Sequence, residues 1–144
     1  MKYTKLISIL LLIPLLVSAC GSSAGKLTIR DPWARAMPQG ENSAAYFVIE
    51  NGTSSNDSLL SVSTDVAETA EAHMSMMDAN GVISMQMQDA IAIPSGDKVE
   101  FKPGGLHVML MNLKQDLKTG DIFSLTLNCK EAGRIVIEVP VREP

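Results

Sequence analysis

Turn-forming residues interrupt this chain about every ten positions, and that spacing limits what it can fold into more than any other feature. The breaks fall at Asn51-Gly52, Asn80-Gly81, Pro94-Ser95-Gly96-Asp97, Pro103-Gly104-Gly105 and Thr119-Gly120-Asp121. Between them the residues alternate apolar and polar or form short apolar runs, and helical periodicity is scarce. The expected fold is all-β, a sandwich or small barrel. Expected strands are Leu27 to Arg30, Ala44 to Asn51, Leu59 to Ser63, Thr69 to Met77, Val82 to Met87, Lys98 to Phe101, Leu106 to Leu113, Ile122 to Cys129 and Gly133 to Val141. A helical turn is the alternative for part of Ser63 to Ala72.

The N-terminus reads as an export signal. Lys2 and Lys5 precede an apolar run from Leu6 to Val17 that ends in the small residues Ser18 and Ala19. A bilayer-spanning helix needs roughly 20 apolar residues, and this run is well short of that. Leu16-Val17-Ser18-Ala19-Cys20 resembles a bacterial lipobox, in which the cysteine becomes the acylated N-terminus. The expected organisation is a lipoprotein signal peptide at 1–19, lipidated Cys20 with a short tether at 20–25, and one β domain at 26–144. Gly21 after Cys20, in place of Asp, favours the outer membrane of a two-membrane cell envelope.

After removal of residues 1–19 the chain keeps 125 residues, enough for one domain with a core of its own. Without Lys2 and Lys5, ten basic residues face sixteen acidic ones, a formal charge of −6. No basic run remains to neutralise a phosphate backbone, so nucleic acid is not an expected partner. With Cys20 acylated, Cys129 is the one remaining thiol and has no disulfide partner within the chain. It is expected to be a small buried hydrophobe. Trp33, the single tryptophan, is expected to anchor the core.

Seven of the nine methionines lie between Met74 and Met111, and both histidines, His73 and His107, lie in or beside that span. A hairpin turning on Asp78-Ala79-Asn80-Gly81 and centred on Ala79 would set His73 opposite Met85. His107 and Met109, two apart on an apolar strand, share one face. Two strand pairs can thus supply two imidazoles and two thioethers together. Thioethers are soft and neutral and select copper(I), whereas zinc sites prefer thiolate, imidazole and carboxylate. A thioether also forms no disulfide, which suits a site outside the cytoplasm.

The pattern His73-Met74, ten residues, Met85, twenty-one residues, His107-Val108-Met109 resembles the motif of the periplasmic copper chaperones called PCuAC. The likeness extends to Asp31-Pro32-Trp33-Ala34-Arg35, Ala45-Tyr46 with Asn51, Lys102-Pro103-Gly104-Gly105, Met109-Leu110-Met111 and Gly120-Asp121. It implies a cupredoxin-like, immunoglobulin-like β-sandwich or small barrel, with His73, Met85, His107 and Met109 as ligands of one copper(I) ion. It also implies a periplasmic role in supplying the dinuclear copper centre of cytochrome c oxidase, alone or with Sco-type proteins.

Catalysis is not expected: there is no Ser, His and Asp arrangement and no phosphate-cradling loop. A blue-copper electron carrier would need a Cys thiolate beside two histidines, and Cys129 is remote in sequence from both. The closer alternative is an envelope copper buffer with no dedicated acceptor, which would need the same four ligands. Met87 and Met111 share strand parity with the four and could shield the ion, although ordinary packing is the first expectation. The ligands are expected at a strand edge, so that His107→Ala spares the fold.

Overall fold

The computed structural model describes residues 25–143. The signal peptide, Cys20 and all of the tether but Gly25 lie outside the described residues. Ten strands follow in chain order: β1 (Leu27–Arg35), β2 (Ser43–Asn51), β3 (Asp57–Ser63), β4 (Ala67–Met77), β5 (Ile83–Met87), β6 (Ile91–Ile93), β7 (Lys98–Phe101), β8 (Leu106–Leu113), β9 (Ile122–Cys129) and β10 (Gly133–Arg142). They pair in the order β5-β4-β8-β7-β2-β1-β10-β9-β3-β6, one open sheet with β5 and β6 as its edges. A parallel pairing of β1 with β10, Ala34 with Val141 and Arg35 with Arg142, joins its two halves.

The halves share one core, which makes the architecture a sandwich. Phe47 and Ile49 of β2 and Val108 and Leu110 of β8 bury together with Leu59 of β3, Leu125 and Leu127 of β9 and Val139 of β10. In β9 the alternation is plain, with Phe123, Leu125, Leu127 and Cys129 buried and Ile122 and Ser124 exposed. Such a pattern places one face of an antiparallel strand against the core and the other toward water. Phe47 and Phe101, opposed across β2 and β7, stack with centroids 4.5 Å apart.

Each expected strand is present. The sequence reading missed β6, whose three residues are too few to show an alternation, and it ended β1 five residues early at Arg30. The helical alternative for Ser63 to Ala72 is not adopted, since β4 begins at Ala67 and pairs with β8 from there.

The hairpin register differs by two residues from the expectation. His73 stands opposite Met87 and Met85 opposite Ser75, because the turn runs from Asp78 to Val82 and is centred on Asn80. Asp78 makes this longer turn: its carboxylate accepts N–H groups from Asn80 (2.8 Å) and Val82 (2.9 Å), and its carbonyl accepts from Gly81 (3.0 Å). Gly81 has φ +81°, a conformation that costs a glycine little. A shift of two keeps strand parity, so Met85 stays on the face of His73 as a diagonal neighbour.

Candidate metal centre

β4 lies between β5 and β8, so His73 sits in one cross-strand row between Met87 and His107. One step along the same face, Glu71 stands opposite Met109; one step the other way, Ser75 stands opposite Met85. The side chains of Glu71, His73, Ser75, Met85, Met87, His107 and Met109 thus share the face turned away from the core. Their intervening neighbours Val108 and Leu110 are fully buried in it.

His107 owes its position to an interruption. β7 and β8 both pair antiparallel with β2, Phe101 with Phe47 and Val108 with Ala45, like one strand broken by the loop at 102–105. The loop closes through Gly105 N–H to Lys102 carbonyl (3.0 Å), and Gly104 at its tip has φ +77°. The Gly105 carbonyl then accepts two groups, the Ser75 N–H of β4 (3.1 Å) and Nδ1 of His107 (3.0 Å). One carbonyl therefore fixes both the strand and the ring beside it.

A bulge in β1 adds the aromatic wall. Three residues of β1 span what two of β2 span between Arg30 and Trp33, and Asp31 within the bulge has φ +48°. The extra residue reverses the parity that follows, so Ala34 faces the core and Trp33 turns to the outer face. Trp33 is half-buried there and packs on Tyr46, its register partner, with centroids 4.6 Å apart. The expectation that Trp33 anchors the core is therefore corrected. Tyr46 is itself buried, and loss of hydration raises its hydroxyl pKa, an effect Arg35 partly opposes.

Beside this wall opens a cleft of about 350 Å³ whose lining includes Tyr46, Ser75, Met76, Met85, His107 and Met109. Register alone would favour Met87 as the companion of the histidines, but Met87 lines a separate groove with Glu71 and Leu60. Of the two β5 thioethers, Met85 is the one that shares a cavity with His107 and Met109. His73 is not part of that cavity's wall. Its ring is tilted against that of His107, with centroids 6.0 Å apart, close enough for one ion held roughly 2 Å from a nitrogen of each.

Hydrogen bonding leaves each imidazole one nitrogen. A carbonyl can only accept, so His107 donates Nδ1–H to Gly105 and keeps Nε2 as a lone pair. An ionised carboxylate can only accept, so His73 donates Nε2–H to Glu71 at 3.1 Å. His73 Nδ1 is then buried with no partner. An orphaned buried nitrogen costs about 1–3 kcal/mol, and a metal ion is a partner that removes the cost. Among the described residues no three His, Cys, Asp or Glu side chains converge. The thioethers are the further soft donors on this face, and two imidazoles with two thioethers suit a soft ion.

Two features differ from what the sequence suggested. His107 is only 5% exposed and lies on an inner strand, not at an edge, because β8 is flanked by β4 and by β7 and β2. Glu71 escaped notice, although its place two residues before His73 puts it on the same strand face. Cys129 is 5% exposed on β9, and burial, with the Asp57 charge adding, pushes its thiol up to about 11. That is the inert buried thiol expected.

Residues 27–141 match the family described as "Putative lipoprotein LpqE-like". The protein RP573 of Rickettsia prowazekii (strain Madrid E) is 36% identical over 115 residues, 76% of this chain and 63% of that protein. The chain thus spans less than two thirds of that relative's length. Among solved structures, the copper-bound PCuAC domain from PmoF2 is 28% identical, with TM-score 0.69 over 85% of this chain and 97% of that domain. CuI-DR1885 from Deinococcus radiodurans, 24% identical, shares the fold at TM-score 0.61 over 88% of this chain and 83% of that one.

Proposed function

The chain belongs to the LpqE-like family and has the cupredoxin-like fold of a PCuAC domain, and from that premise we propose that it carries copper(I) in the cell envelope. The ligands are His73, Met85, His107 and Met109. The observation that carries the reading is the donor set: two imidazoles, each with one nitrogen engaged and one free, on the same sheet face as two thioethers. All four donors are uncharged, so none holds the ion as an anionic thiolate would, and the chemistry suits carriage and release better than catalysis.

Cys20 carries the lipid that keeps residues 26–144 at the membrane face, the outer membrane in a two-membrane envelope, and the apolar run before it is the cleaved signal. The recipient is the dinuclear copper centre of cytochrome c oxidase, reached directly or through Sco-type proteins. Copper held on neutral soft ligands beside an open cleft can pass to a thiolate-bearing acceptor by ligand exchange.

The test is an anaerobic titration of the chain from Gly21 against a copper(I) chelator, beside His107→Ala and Met109→Ala. One tight equivalent, weakened at least a hundredfold in either variant, is expected. Absence of competition by the wild-type chain would end the reading. Deletion then separates courier from buffer: failure of oxidase assembly under copper limitation marks a courier, and copper sensitivity with normal oxidase marks a buffer.

A further inference from the structure

Glu71 is the one carboxylate bonded to a histidine among the described residues. Its Oε2 lies 3.1 Å from Nε2 of His73, and it stands opposite Met109 in the β4–β8 register. The bond does more than hold a side chain in place. A neutral imidazole carries one proton, and a carboxylate acceptor at Nε2 keeps the proton there. Nδ1 is then the lone-pair nitrogen, and Nδ1 is the buried atom that finds no partner in the fold. One observation concerns where the ring proton is held, the other which nitrogen lacks a partner, and they agree.

We propose that Glu71 is a positioning residue for copper(I): it holds His73 in the Nε2–H tautomer and so presents Nδ1, while Gly105 holds His107 in the opposite tautomer and presents Nε2. The two histidines are thus used through different nitrogens, each set by the acceptor on the far side of its ring. A carboxylate behind a ligating imidazole also makes the ring a better donor. Glu71 contacts no copper in this arrangement and acts through His73. The proposal rests on the reading of His73 as a ligand.

The experiment uses the chain from Gly21 in three variants, Glu71→Ala, Glu71→Gln and His73→Ala, with folding checked by circular dichroism. Long-range 15N–1H correlation of the copper-free protein reads the tautomers. Anaerobic chelator competition reads affinity. In the wild type, His73 is expected as Nε2–H and His107 as Nδ1–H. Glu71→Ala should move His73 toward a mixture of tautomers and weaken copper(I) binding by roughly tenfold to a hundredfold. Glu71→Gln keeps an oxygen acceptor, so its losses should be smaller. It also keeps the side chain's shape and so remains informative should the alanine variant unfold.

Wild-type His73 found as Nδ1–H would overturn the proposal. So would a tautomer and affinity unmoved by both Glu71 variants while His73→Ala abolishes binding. An affinity unmoved by His73→Ala would instead remove the ligand assignment beneath it, and that failure is distinguishable from the first two.

Discussion

The two halves of the sandwich treat sulfur in opposite ways. In the half formed by β9, β10, β3 and β6, Cys129 is buried at 5% exposure and its thiol is pushed up to about 11. At the other end, on the hairpin of β4 and β5, Met85 is 57% exposed and Met77 69%. Among the described residues, six of the nine exposed large hydrophobic side chains belong to that hairpin, from Met76 to Met87. A thiol in an oxidising compartment is a liability unless it is hidden, whereas a thioether forms no disulfide and can stay in the open. The molecule thus keeps its disulfide-forming sulfur in the core and exposes thioethers on the hairpin.

Five substitutions test that division. Phe47→Ala should have the largest effect, about 3–5 kcal/mol from a fully buried ring stacked on Phe101, read as a lower urea midpoint. Copper(I) affinity of the fraction still folded should change less than threefold, and a larger change would mean that core and metal face are one unit.

Asp57→Ala should cost about 2 kcal/mol, because the Asp57 carboxylate accepts the N–H groups of Glu131 and Ala132, both at 2.9 Å. Burial alone would raise this carboxyl, but those two groups, with Ser58 and Lys130, hold it below the usual range. Its contribution is therefore present above the unfolded value near pH 3.8 and is lost as pH falls through the lower folded value. Urea midpoints at pH 7 and in acid should show a flatter pH dependence in the variant.

Met85→Ala should weaken copper(I) by about tenfold, or 1.4 kcal/mol, and shift stability by no more than about 0.5 kcal/mol. Met87→Ala, in the neighbouring groove, should leave affinity unchanged; the reverse result would transfer the ligand role to the residue that register places beside His73. Cys129→Ala should cost about 1 kcal/mol of stability with copper affinity intact. Loss of affinity there would dissolve the distinction between the two sulfurs. In the wild type the neutral thiol's contribution is complete below pH 9.0 and is lost as pH rises toward about 11.

Much of the fold was legible because turn residues mark the ends of strands and alternation marks their faces. β9 reads from its sequence as it stands in the structure, one side chain in and the next out. Parity also survived where register did not: the turn made by Asp78 moved the hairpin by two residues, yet His73 and Met85 kept one face. Parity failed at Trp33, where the bulge at Asp31 inserts one residue and sends the ring outward. Nothing in a run of side chains announces a bulge, because it is the pairing with β2 that defines it.

The chain's own sequence determined that it is all-β, which residues share a strand face, and that two histidines and a cluster of methionines offer soft donors. Those properties follow from residue type and from the two-residue period of a strand, both local. Only the tertiary structure decided that His73 and His107 are cross-strand neighbours, that Met85 and not Met87 shares the cleft, and that Glu71 and Gly105 leave opposite nitrogens free. These depend on which strands meet and on how a loop and a turn set their register, and distances across strands are not written in the order of residues along one of them.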